Sequence, residues 1–266
     1  MTDLFERLRR SKVYDLAQPY YVGMPHFPTH PPFLFGLTKK HGDMMSENGT
    51  SSCADALALG SHVGTHIDAL CHFSSNGRLH GGVEAKTVQS DGGGVEQHSV
   101  DTIHPIVRRG VLLDIAAECH SEALPPDFTI TPEHLESAAR AENVAIQDGD
   151  VVLLRTGWAR FWNDAARYIT GGHGMNATGP GPEVDGARWL SKHKVFAAGS
   201  DTVAFERVPG AMPVHVHLLV ESGIHIIEAL NLEELARDGV YEFVFVAAPL
   251  KIRGGTGSPI RPLALS

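Results

Sequence analysis

The amino-acid sequence predicts an α/β fold: a single domain over residues 1–266, with a mixed, barrel-like β-sheet core and surrounding helices. Three observations carry this expectation. Apolar strand-like runs alternate with helical stretches through most of the chain, which is the pattern of layers around one sheet. The 266 residues suffice for one large core, and no repeat or long linker divides them. The content, 42% hydrophobic and 20% charged, is that of an ordinary globular chain.

The elements follow in order. Residues 3–10 read as a short helix capped by Thr2 or Asp3. Val13 to Ala17 reads as a strand. Residues 18–36 hold five prolines with aromatics between them, a stiff irregular segment suited to lining a pocket. Residues 52–60 alternate as a strand, and Gly110 to Ile115 is an apolar strand. Thr131 followed by Pro132 starts a helix that runs to about 142. Further strands are expected at 150–155, 194–199, 224–228 and 240–249, and helices at 184–193 and 214–222. Gly92–Gly94 and the stretch from Gly171 to Pro182 read as loops; the second is expected to be a surface loop, with a mobile lid as the alternative.

Several classes are excluded. The net charge is −9 and no basic stripe exists, so nucleic acid is not an expected partner. Arg7, Arg9, Arg10 and Lys12 are expected on the solvated face of the first helix. No apolar run reaches the roughly 18 residues of a membrane span. The N-terminal segment carries acids and no apolar core, so it does not read as a signal peptide. Cys53, Cys71 and Cys119 form no CxxC pair, which fits a cytoplasmic protein. Cys71, beside His72, is expected as a small buried residue. Neither G-x-G-x-x-G after a strand nor G-x-x-x-x-G-K-[ST] is present, so nucleotide cofactors have no support.

The chemistry concentrates in His62-Val-Gly-Thr-His66-Ile-Asp68-Ala-Leu-Cys-His72. Imidazole and carboxylate together suit zinc, manganese or iron. A straight strand from 62 to 68 would span roughly 20 Å, too far for ligands of one ion. A regular helix would stack 62 over 66 but turn 68 about 120° away. The chain must therefore bend, and Gly64 permits it. A distant residue is needed to complete the site, and residues 213–228 offer His215, His217, Glu221 and Glu228. His217 and Glu221 are spaced to pair on an exposed helix face. Glu228 sits in an apolar strand, where a carboxylate is expensive to bury without a partner or a metal, so it is the favoured ligand. Residue chemistry leaves His215 and His217 unseparated.

These segments resemble the cyclase superfamily of metal-dependent hydrolases, which includes bacterial kynurenine formamidase and isatin hydrolase. The first motif is similar to its H-x-G-T-H-x-D-x-P-x-H-F signature. The segments opening at Tyr14, Leu153, His215 and Pro249 resemble successive family segments in order. The resemblance implies the swivelling β/β/α cyclase-like fold. It implies His62, His66, Asp68, His215 and Glu228 as metal ligands, for one or two zinc or manganese ions. It implies His72 as the catalytic acid/base, and places Phe27 where formamidases carry a substrate-stacking Trp. Two departures stand out: Leu70 replaces the signature proline, and Phe27 replaces the Trp. Family habit implies a homodimer or homotetramer.

The expected activity is that of a metal-dependent amidohydrolase acting on carbon–nitrogen bonds other than peptide bonds. Its substrate would be a small cyclic amide (an isatin-like lactam or imide) or an N-acyl aryl amine, with kynurenine formamidase proper as the alternative. Tyr20, Tyr21 and Phe27 are expected as an apolar wall for a planar substrate. Two readings from other classes are a non-haem iron oxygenase, from a two-His-one-carboxylate triad, and a non-catalytic metal-binding protein.

Overall fold

In the computed structural model residues 2–172 and 176–266 are described, the side chains of residues 2–4 excepted. Nine strands form one mixed sheet. Their spatial order is Val13–Asp15, Leu263–Leu265, Glu242–Ala247, Ile106–Asp114, Val151–Arg155, Ala197–Ser200, His225–Glu228, His66–Asp68 and Gly257–Pro259. The sheet curls into a half-barrel with helices around it, the α/β class expected.

The middle four strands run parallel: Leu112 lies beside Leu153, Leu153 beside Gly199, and Gly199 beside Ile227. Parallel strands are covered on both faces, which is why these runs are apolar without alternation. Successive side chains then divide between two cores. Ile67, Leu112, Leu153, Ala197 and Ile227 fill one. Val111, Leu113, Val152, Leu154, Ala198 and Ile226 fill the other, against Leu135, Leu190, Val214, Leu218 and Leu219 of the covering helices. A third cluster, with Met24, Phe33, Val63, Trp158 and Tyr168, walls the end of the sheet where the first motif turns.

Several elements differ from expectation. The strand expected at 52–60 is Ala54–Ala58. It pairs outside the main sheet with Leu34–Lys39, part of which lies in the segment read as irregular. The strand expected from Gly110 begins at Ile106, and Ile115 already opens a short helix because the Asp114 side chain caps it at Ala117 N–H. The strand expected from 194 begins at Ala197, since Lys194 takes a left-handed turn. The helix expected at 214–222 is one α-turn, Pro213–His215, followed by the wider π-turns of Val216–Ser222. Pro132–Ala141 and Val184–Lys192 are helices as expected. Helices Ala165–Thr170 and Glu233–Arg237 carried no usable signal.

The proposed cap at Thr2 or Asp3 lies outside the described side chains, and residues 173–175 of the Gly171–Pro182 loop lie outside the described residues. The rest of that loop is fastened: Thr178 N–H donates to Ile169 O, and Gly181–Pro182 pairs with Thr129–Ile130. The three cysteines are free, with Cys71 buried. Among the described residues no helix is long and apolar enough to cross a membrane.

Candidate metal centre

His66 and Asp68 are two apart on a three-residue strand, so they share the face opposite Ile67. Sheet register supplies the next ligand. Glu228 lies directly opposite His66 in the antiparallel pair. His66 Nε2 is consequently 3.4 Å from Glu228 Oε2 and 3.5 Å from Asp68 Oδ1. His66 is oriented from behind, because its Nδ1–H donates to Gly64 O at 2.8 Å.

The turn before this strand brings in His62. Gly64 has φ +65°, and a Cβ there would stand 2.4 Å from the Tyr20 ring. Tyr20 caps the turn by donating its hydroxyl to Thr65 O at 2.8 Å. Thr65 Oγ1 donates to Ala229 O at 2.6 Å and accepts Gln18 N–H at 2.8 Å, tying the turn to the end of the Glu228 strand. His62 ends with Nδ1 2.7 Å from Asp68 Oδ1 and Nε2 2.9 Å from Thr256 Oγ1. The backbone of Gly257 passes so close that a Cβ would meet the His62 ring at 2.6 Å.

His215 arrives from the opposite side. Its Nε2 is 3.2 Å from Glu228 Oε1 and 3.7 Å from Asp68 Oδ2. Glu206, 2% exposed, accepts both the Nδ1–H of His215 (2.6 Å) and its backbone N–H (2.9 Å). That fixes the tautomer and aims Nε2 at the carboxylates. Of the two histidines left open by the sequence, the structure brings His215 to the carboxylates. His217 pairs with Glu221 at 2.7 Å and with Ser191 at 2.9 Å, away from the cluster. Phe205, Met212 and Ala229, none of them glycine, take positive φ beside these ligands. Strain of this kind concentrates at functional sites.

The electrostatics describe a place for a cation. Burial works against charge on His215, but Glu206 and Glu228 outweigh it and push its pKa up to about 10. Burial likewise opposes a charged His66, and Asp68 and Glu228 outweigh it and raise its pKa. Burial would raise Asp68, but the neighbouring imidazoles of His72 and His62 hold it well below the usual carboxylate range. Burial raises Glu228 in turn, against the pull of His215 and His66. Two atoms still lack partners: His66 Nε2 and Asp68 Oδ2 are buried without a hydrogen bond. Both point at the space shared with Glu228 and His215. Asp68 belongs to two groups of converging donors, one with His62 and His72, the other with His215 and Glu228. Imidazole and carboxylate donors in this arrangement fit zinc or manganese.

His72 lies flat on His62, ring centroids 3.7 Å apart at 20°. Burial, reinforced by the other imidazoles, lowers its pKa to about 3 in the metal-free chain. It faces a cavity of about 280 Å³ lined also by Phe27, His30, Phe73, Val203 and Met212. Phe27, the residue expected to stack on a substrate, is among the residues lining this cavity. Tyr20 and Tyr21 do not line this cavity: Tyr20 supports the Gly64 turn, and the Tyr21 hydroxyl donates to Trp162 O at 2.9 Å. Sequence reasoning missed Glu206, Thr256 and His30. Thr256 stands inside the segment from Pro249 that resembled the family's closing strand, whereas Glu206 and His30 belong to no motif.

The fold thus gathers three imidazoles and two acids at one end of an α/β sheet, a donor set that could hold a metal ion. The chain belongs to the putative cyclase family, whose model matches residues 14–207. It is 33% identical over 219 residues to an isatin hydrolase of Roseibium aggregatum, covering 79% of this chain and 73% of that protein. It is 24% identical over 256 residues to a kynurenine formamidase of Bacillus mycoides, covering 96% and 97%. A crystal structure described as a novel cyclase superposes with a TM-score of 0.87 at 28% identity, over 100% of this chain and 90% of that one.

Proposed function

We propose that this protein is a metal-dependent hydrolase that opens the carbon–nitrogen bond of a small, neutral cyclic amide. The observation that carries the reading is the convergence of His62, His66, Asp68, His215 and Glu228 beside the unbonded ring of His72. His62, His66, Asp68, His215 and Glu228 would hold a divalent zinc or manganese ion, which would supply an acidified water and Lewis-acid polarisation of a carbonyl. His72 takes the proton released as the water attacks, then returns it to the leaving nitrogen, which would otherwise depart as a poor amide anion. Phe27 and Phe73 hold a planar ring against the cavity wall.

Cavity chemistry favours this substrate class over that of a kynurenine formamidase. Among the described residues no Lys or Arg lines the cavity, so nothing there pairs with the carboxylate of an amino acid substrate. A non-haem iron oxygenase would leave part of the five-donor set and His72 without a role. The reading is tested by metal content and lactam or imide turnover of two variants. Asp68→Ala loses metal and activity together. His72→Ala keeps its metal and loses turnover by about 10²- to 10⁴-fold. Full activity in both would overturn it.

The hydrolase is further proposed to work as a homodimer or homotetramer. The hairpin of Leu34–Lys39 and Ala54–Ala58 stands outside the main sheet, with Leu34, Phe35, Leu37 and Leu57 each about half exposed or more. A two-stranded ribbon is marginal alone, and exposed apolar patches mark contact surfaces.

A further inference from the structure

We propose that His30 sets substrate specificity by donating a ring N–H hydrogen bond to a second carbonyl oxygen next to the scissile one, so that the site prefers vicinal dicarbonyl lactams. The proposal rests on the lactam hydrolase reading and assigns a residue that reading does not use. His30 closes a tight turn, its backbone N–H donating to Phe27 O at 3.0 Å. Pro28 stands inside that turn and Pro31 and Pro32 follow His30, so the backbone that carries the ring is stiff. The half-buried ring stacks on His62 at 5.3 Å and 28°, and its centroid is 6.4 Å from that of His72. It therefore sits over the ligand end of the cavity rather than at a remote rim.

Of the four imidazoles that line the cavity, His72 and His30 have ring nitrogens without a hydrogen-bond partner among the described residues, whereas both ring nitrogens of His62 and of His215 are engaged. His72 is committed to proton transfer. The remaining wall is mainly apolar: Phe27, Phe73, Val203, Ala204 and Met212. An apolar wall discriminates poorly between a lactam and its oxo-substituted analogue, while a placed polar group left unpaired by the wrong ligand discriminates well. His30 is that group, and its stacking on His62 places it at the end of the cavity where the imidazoles and acids converge.

The test uses the metal-loaded protein with isatin, a vicinal dicarbonyl lactam, as substrate, and 2-indolinone, which lacks the second carbonyl, as competitive inhibitor. His30→Phe keeps a stacking ring without a donor, and His30→Gln restores a donor. In His30→Phe, KM for isatin rises about 10-fold, as expected for one lost hydrogen bond. Its kcat stays within about threefold, and the inhibition constant of 2-indolinone and the metal content do not change. His30→Gln recovers most of the loss. If the isatin and 2-indolinone constants move together, or neither moves, His30 does not read the second carbonyl. His30→Leu repeats the comparison should the Phe variant lose metal. A wild type that neither hydrolyses isatin nor binds 2-indolinone defeats the lactam reading and this proposal with it; a wild type active on isatin with an unchanged ratio in the variants defeats this proposal alone.

Discussion

Glu206 decides which nitrogen of His215 faces Glu228 and Asp68, because the acid holds the proton on Nδ1. In Glu206→Gln the amide oxygen can still accept that N–H, but the charge that strengthens it is lost. Metal affinity, measured by competition with a coloured chelator, falls about 10- to 100-fold while the circular dichroism spectrum is unchanged. Gly64→Ala acts on geometry instead: its methyl would collide with the Tyr20 ring at a positive φ. The variant melts at a lower temperature and binds less metal even when folded, since His62 and His66 can no longer converge. The candidate donors that the structure brings together were legible in the sequence because imidazoles and an acid crowd one short segment and a second acid interrupts an apolar strand. Glu206, Thr256 and His30 were not legible, because each acquires its role only from what the fold places opposite it. Tyr20 shows the same limit from the other side, an aromatic whose hydroxyl serves a turn rather than a substrate.

Among elements, the short strand His66–Asp68 matters most, and it was invisible. Three residues show no periodicity, and the segment is a strand because its neighbours pair with it on both edges. The long parallel strands were legible, since strands buried on both faces read as unbroken apolar runs. The hairpin strands were not placed, because alternation announces a strand without naming its sheet. If the hairpin is a contact arm, Phe35→Asp combined with Leu57→Asp lowers the mass seen by light scattering to that of one chain, while an unchanged mass removes the hairpin from the interface. The helix Pro132–Ala141 carries a pH-dependent weakness at its end. Burial, together with the nearby charge of Asp114, pushes the Glu142 carboxyl up to about 8, and its Oε2 has no partner. An acid whose pKa is raised by folding stabilises the fold while protonated. That contribution is complete below about 4.5, the value in the unfolded chain, and is lost as pH rises through about 8. Glu142→Gln does not titrate, so its melting temperature gains on the wild type between pH 5 and 8. A constant difference across that range contradicts the assignment.

For the whole molecule, the sheet order joins two distant stretches of chain. The first motif and the strand ending at Glu228 become neighbours only in the folded sheet, and His215 reaches them from a helix on one face. The fold class was legible from the apolar runs and the candidate donors from their residue types, while neighbour order and cavity shape depend on tertiary packing. In the free chain the neighbouring acids outweigh burial and raise the pKa of His66 and of His215. Metal must displace protons to bind, so affinity rises with pH by up to about 10-fold per unit for each proton released. The most direct test of the central claim is an equilibrium titration of metal-free protein with manganese or zinc, comparing the wild type with Asp68→Asn and Glu228→Gln. The account predicts tight binding by the wild type, none by Asp68→Asn, and binding weakened at least about 10-fold by Glu228→Gln. Binding by Glu228→Gln as tight as the wild type would mean that the two halves of the sheet do not hold one centre.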